Sequence, residues 1–188
     1  MSVLTILVIR HAEKPGEAWP GPGLAEDGSV DDTSLVIRGW QRAGAWAVRF
    51  ASNSDGDYPQ PSIIYSADPR ALTDPDASQR PFQTASPLAA RLNVKRNVTY
   101  AVGQEAGLVA EVSQLTGVVL ISWEHKAIAR AILPLVVGPQ VIPNLPTKWD
   151  GSRFDIVLRF DRADSGGPWS FRQLFPRLLA GDRDVPMP

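Results

Sequence analysis

Two short apolar runs constrain this chain more than anything else in it: LTILVI at residues 4–9 and GVVLIS at 117–122. Each is nearly continuous rather than alternating, the pattern of a strand buried on both faces. Each then breaks into polar residues, Arg10-His11 after the first and Trp123-Glu124-His125 after the second. Strands buried on both faces need helices above and below them, and parallel strands need helical crossovers.

The remaining pattern supplies those crossovers. A strand at Val3–Ile9 precedes a helix from about Leu35 to Phe50, capped by Thr33 or Ser34. A strand at Ser62–Ser66 precedes a helix that Pro81 starts and that runs to about Leu92. A shorter helix follows at Glu105–Thr116, then the strand at 117–122 and a helix over Ala127–Val137. The alternating stretch at 153–160 reads as a later strand, and WSFRQLFPRLL, 169–179, as a strand edge with a short helical turn. Strands alternating with helices give the α/β class with a mainly parallel sheet. The Pro- and Gly-punctuated residues 14–33 and the Pro-rich residues 138–150 are loops, and with no linker between halves the 188 residues are expected to form a single domain, 1–188.

Composition removes several function classes. The net charge is −1, so no global basic field recruits nucleic acid or anionic lipid. With no cysteine, thiolate catalysis, thiolate metal sites and disulfides are excluded. The first apolar run is too short for a membrane span and lacks a basic leader, so a cytoplasmic location is expected. The acidic AEDGSVDD, 25–32, lacks the ligand spacing of a calcium loop and reads as a solvated loop.

In open α/β sheets ligands bind beyond the carboxyl ends of the strands. The chain has only two histidines, His11 and His125, and both stand there. Arginine offers phosphate a planar fork. A neutral imidazole can attack phosphorus and carry the phosphoryl group covalently, and a carboxylic acid can protonate the leaving oxygen. Nothing in that chemistry calls for a metal or another cofactor.

VIRHAEKP, 8–15, resembles the signature of the histidine phosphatase superfamily, which includes cofactor-dependent phosphoglycerate mutases and acid phosphatases. Three further segments resemble its motifs: SLVIRGWQRAGAWA (34–47), RPFQTASPLAARL (80–92) and VVLISWEHKAI (118–128). The resemblance implies a phosphoglycerate mutase-like three-layer sandwich. It implies that His11 is the nucleophile, that Arg10 and Arg80 clamp the phosphate, and that His125 binds and polarises it. Arg70, in YSADPR, competes for the second-arginine role; Arg80 is preferred for its spacing to Gln83-Thr84-Ala85. Glu105 stands where many members place the proton donor. Glu124 is its rival, but alternation at a strand end would turn it away from the face that His125 uses. Phytase-like members carry an Asp where this chain has Lys126. Glu13 either tunes His11 or neutralises Arg10, Lys14 is a rim charge, and Trp19 and Trp123 are candidates for the pocket wall.

The expected function is a metal-independent phosphomonoester phosphatase acting through phosphohistidine on a small-molecule phosphate ester or phosphorylated substrate, with no nucleic-acid or membrane partner. A phosphomutase of the same superfamily and a non-catalytic phosphate-binding module are the alternatives. Specificity is expected from residues 14–33, 67–79 and 138–150.

Overall fold

The computed structural model describes residues 4–52, 56–70 and 77–188. Val3 and residues 71–76 of the 67–79 segment lie outside them. Twelve elements follow in order: β1 (Leu4–Arg10), α1 (Ile37–Ala51), β2 (Ile63–Ser66), α2 (Arg80–Leu92), β3 (Arg96–Asn97), α3 (Glu105–Val112), β4 (Gly117–Trp123), α4 (His125–Ala127), a π-helical segment (Ile128–Ile132), α5 (Leu133–Val137), β5 (Val157–Arg162) and β6 (Trp169–Leu174).

The strands form one six-stranded sheet in the order β3-β2-β4-β1-β5-β6. The pairs β1·β4, β2·β4 and β2·β3 are parallel; β5 runs antiparallel to β1, and β6 to β5. The sheet is therefore mainly parallel, as the alternation of strands and helices predicts. The antiparallel pair β5–β6 lies at one edge.

β1 is buried along its whole length and feeds two cores. Leu4, Ile6 and Val8 pack with Leu108, Val109 and Val112 of α3 and with Ile128, Ile132 and Leu133. Leu7 and Ile9 pack on the opposite face with Trp46, Ala47 and Phe50 of α1 and with Ala85, Leu88 and Ala89 of α2. Side chains of a strand alternate between faces, so one apolar run serves both helical layers. This is the three-layer α/β sandwich. In α1, Ala43, Trp46, Ala47 and Phe50 are buried at helical spacing.

Several boundaries differ from the expectations, each for a local reason. No side chain caps α1; its N-cap is Val36, because Asp31 takes the hydroxyls of both Thr33 and Ser34. α3 ends at Val112. The helix expected at Ala127 begins at His125, with Glu124 as its cap, and passes through the π segment before Pro134, which has no N–H for an α-helical bond. β5 begins only at Val157, because Arg153 and Asp155 are tied to each other and to the C-terminal segment. After Leu174 the tail is irregular and the expected helical turn is absent. Among the described residues no helix is long and apolar enough to cross a membrane.

Candidate active site

The register of β1 on β4 places Arg10 opposite Trp123, the last pair of the two strands. The ladder closes with the His11 amide donating to the Trp123 carbonyl at 3.0 Å. Both histidines thus leave adjacent parallel strands at one sheet edge. Their ring centroids are 6.3 Å apart at an interplanar angle of 78°. They share a cavity of about 590 Å³ with Lys14, Asp32, Asp68, Arg80, Glu124 and Lys126. Lys14, Asp32 and Lys126 are exposed, so the mouth is solvated, while His11 is buried.

His11 is the most constrained of these groups. Its Nδ1 lies 2.7 Å from the Ala12 carbonyl oxygen. A carbonyl only accepts, so Nδ1 carries the proton and Nε2 carries the lone pair. Burial, reinforced by the Arg10 charge, lowers its pKa to about 3. The ring is therefore neutral at pH 7, the form in which an imidazole is a nucleophile.

The loop carrying His11 is held from two sides. From α2, the Thr84 hydroxyl accepts the Ala12 amide at 2.8 Å and donates to the Arg80 carbonyl. From α1, Gly39 packs so closely that a Cβ there would come within 2.5 Å of the Glu13 carbonyl oxygen. Glu13 itself makes no hydrogen bond or ion pair with Arg10 or His11, though its charge favours the Arg10 cation. Its fully buried carboxylate takes hydrogen bonds from Arg42 Nε and Nη2, at 3.0 and 2.9 Å, and Arg42 also reaches Asp182 at 2.8 Å. Burial works against the charge of Arg42, but the hydrogen bonds to Asp182 and Glu13 outweigh it and raise its pKa.

Arg10 is held behind the site. Its Nη1 donates to the carbonyls of Gly151 and Arg153, at 2.7 and 3.1 Å, and its guanidinium lies 3.8 Å from the Phe154 ring centroid. Its Nε is shielded from solvent and has no partner among the described residues. Burial lowers its pKa to about 10, with Glu124, Glu13 and Asp150 opposing. Arg10 is not among the residues lining the cavity, whereas Arg80 is. Arg80 Nε donates to the Ser34 carbonyl at 3.2 Å and Nη2 to the Asp32 carbonyl at 2.5 Å, which joins the start of α2 to the loop before α1. Gln83 completes that joint: it accepts the Leu35 amide and donates to the Ser34 hydroxyl.

Arg70 lies elsewhere. It is exposed, pairs with Asp68 at 3.3 Å, and lines a separate groove of about 870 Å³ beside α2 and β3 that holds no histidine. Glu105 is buried, but its carboxylate accepts the Trp123 indole Nε1 and the Gly103 amide, both at 2.9 Å, and it does not line the cavity. Glu124 does line it. Strand alternation does not govern Glu124, because β4 ends at Trp123 and Glu124 is already the cap of α4. Trp19 and Trp123 are not on the wall: Trp19 stacks under Arg38 and Trp123 is fully buried.

Asp32, Asp68 and Ser78 also line the cavity; they lie in the 14–33 and 67–79 segments expected to set specificity, though the sequence did not single them out one by one. Asp68 was within reach of the strand-end rule, since it follows β2, which is parallel to β4. Asp32 and Ser78 carried no periodic signal. Among the described residues, no group of three His, Asp or Glu side chains is arranged to hold a metal ion.

No family model matches this chain, and no curated protein matches its sequence. Solved structures do. A protein from Nakamurella multipartitia, provisionally named phosphohistidine phosphatase SixA, has a TM-score of 0.54 at 14% identity, covering 94% of this chain and 98% of that one. A protein described as mycobacterial hydrolase 2 has a TM-score of 0.51 at 14% identity, covering 98% of this chain and 94% of that one. The shared architecture is the phosphoglycerate mutase-like fold.

Proposed function

We propose that this chain is a metal-independent phosphatase that hydrolyses phosphoric monoesters through a phosphohistidine on His11. The observation that carries the reading is the pair of histidines meeting edge-on at 6.3 Å over a cavity that also holds Arg80. The likeness in fold to a protein named as a phosphohistidine phosphatase supports the same class of chemistry.

His11 Nε2 attacks phosphorus. A P–N bond forms, the ester P–O bond breaks, and the leaving oxygen takes a proton from water at the solvated mouth. Water then attacks the phosphohistidine and gives a proton back to solvent, the P–N bond breaks, inorganic phosphate leaves, and His11 returns to its neutral form. Arg80 and His125 hold the equatorial oxygens, with Arg10 supporting His11 from behind. Fixed donors aimed at developing charge supply catalysis in this scheme, and the rim lysines Lys14 and Lys126 draw a dianion to the mouth. The solvated mouth favours hydrolysis over transfer to a second substrate.

The test is turnover of a chromogenic aryl phosphate in the presence of a strong chelator, followed by an alkaline denaturing quench after brief exposure to labelled substrate. Acid-labile phosphate on His11 is expected. Label on His125 would reverse the roles, and activity lost on chelation and restored by a divalent ion would overturn the metal-independent reading.

A further inference from the structure

Glu124 is anchored at both carboxylate oxygens. Oε2 accepts the Ala127 amide at 2.7 Å, and Oε1 lies 2.7 Å from Nδ1 of His125. That nitrogen is shielded from solvent and makes no hydrogen bond of straight geometry, so the Glu124 oxygen is the acceptor within its reach. Burial opposes the charge of Glu124, but the close His125 ring and the Lys126 and Ala127 amides prevail and hold its pKa near 2. Glu124 is thus held in the carboxylate form, which accepts a hydrogen bond rather than donating a proton to a leaving group.

We propose that Glu124 is a positioning residue that clasps the Nδ1–H of His125 and so presents Nε2 of that ring to the phosphoryl group in the cavity. The proposal rests on the phosphatase reading for the identity of the ligand, but not for the clasp itself. An imidazole bound to a ligand through one nitrogen has its tautomer and orientation set by what the other nitrogen meets. Here the carboxylate comes from the preceding residue, and its second oxygen is fixed to the backbone of α4, so the ring is referenced to a packed element rather than to a loop. The other charged groups around His125 do not compete for Nδ1. His11 meets it edge-on and is neutral; Lys126 is exposed; Lys14, Arg80, Asp32 and Asp68 line the remaining walls, with Asp68 paired to Arg70.

Two variants separate clasping from capping. Glu124→Gln keeps an oxygen that can cap Ala127 but can turn an amide N–H toward His125. Glu124→Asp keeps an excellent cap on a shorter stem that does not span to the ring. The first measurement is ¹⁵N NMR of imidazole-labelled protein at alkaline pH. The wild type is expected to carry the His125 proton on Nδ1, and Glu124→Gln to move it to Nε2. The second is binding of orthovanadate. Both variants are expected to bind about 10–100-fold more weakly, the range seen when the carboxylate behind a ligating histidine is removed, with melting temperatures unchanged.

An identical tautomer in the wild type and Glu124→Gln overturns the proposal, as does unchanged vanadate affinity in both variants. If the wild type hydrolyses no phosphate ester but the tautomer switches, the phosphatase reading fails and the clasp is supported.

Discussion

β1 and β4 lie side by side, run in the same direction and end at the same register, yet their histidines meet opposite surroundings. His11 is buried beside an arginine, bonded to a carbonyl, and held neutral. His125 is half-buried at the start of a helix, against a carboxylate. One environment strips a proton from an imidazole; the other offers its N–H an anion. Equivalent places in a sheet therefore suit the two different tasks proposed for them, a nucleophile and a phosphate holder, through their neighbouring residues. Arg10 precedes one histidine and Glu124 the other.

The sharpest way to break that contrast is to remove His11. His11→Ala should lower kcat on an aryl phosphate by on the order of 10⁴–10⁶-fold, the scale of losing a nucleophile. An equal or larger loss from His125→Ala, with residual turnover in His11→Ala, would exchange the roles.

Arg42→Ala should be the most destabilising of the changes around the His11 loop. Removing one partner of a buried ion pair costs about 3–5 kcal/mol, and here it deprives Asp182 of its arginine and leaves Glu13 only Arg38, at 3.5 Å. Urea denaturation measures it. A loss below about 1 kcal/mol would mean that the loop is held without Arg42, by Thr84, Gly39 and Arg38.

Arg80→Ala should reduce kcat/KM by about 10²–10³-fold, the effect of deleting one preorganised donor. Arg70→Ala should change it less than about 2-fold, because an exposed pair such as Arg70–Asp68 contributes little. A severe Arg70 effect would place the second phosphate-binding arginine beyond the cavity that both histidines line.

The neutrality of His11 has a consequence for pH. Its pKa is about 3 folded, against about 6.5 when exposed. Below about 6.5 the unfolded chain takes up a proton that the native state refuses, so acid favours unfolding. Stability should therefore fall with pH from about 6.5 toward about 3, by up to about 1.4 kcal/mol per pH unit from this group. His11→Asn should lack that component, as denaturation at pH 7, 5.5 and 4.5 would reveal. Parallel curves for the two proteins would mean that His11 titrates normally and that the contrast with His125 is one of geometry alone.

A modest effect is expected at Glu105. Its carboxylate holds the Trp123 indole rather than facing the cavity, so Glu105→Gln should slow aryl and alkyl phosphates alike, by less than about 10-fold. A selective loss on alkyl esters, whose leaving groups need a proton, would make Glu105 the acid after all and would require Trp123 to move.

The sequence determined on its own what depends on local pattern. Continuous apolar runs forced strands buried on both faces, alternation with helices forced a mainly parallel sheet, and the strand-end rule put both histidines at one edge. The residues Gln83 and Thr84, singled out only by their spacing to Arg80, turned out to join α2 to the two loops around the site. What the tertiary structure decided was where charges go. Nothing in RHAEKP shows that Glu13 pairs with Arg42 and, through it, Asp182 near the far end of the chain, or that Arg10 is gripped by the carbonyls of Gly151 and Arg153. Nor could alternation foretell that Glu124 shares the cavity with His125, because the strand stops one residue earlier. Periodicity reports which face of an element is apolar and is silent on partners more than a hundred residues away. A buried charge takes whichever opposite charge or carbonyl the packing brings to it, and that choice exists only once the chain has folded.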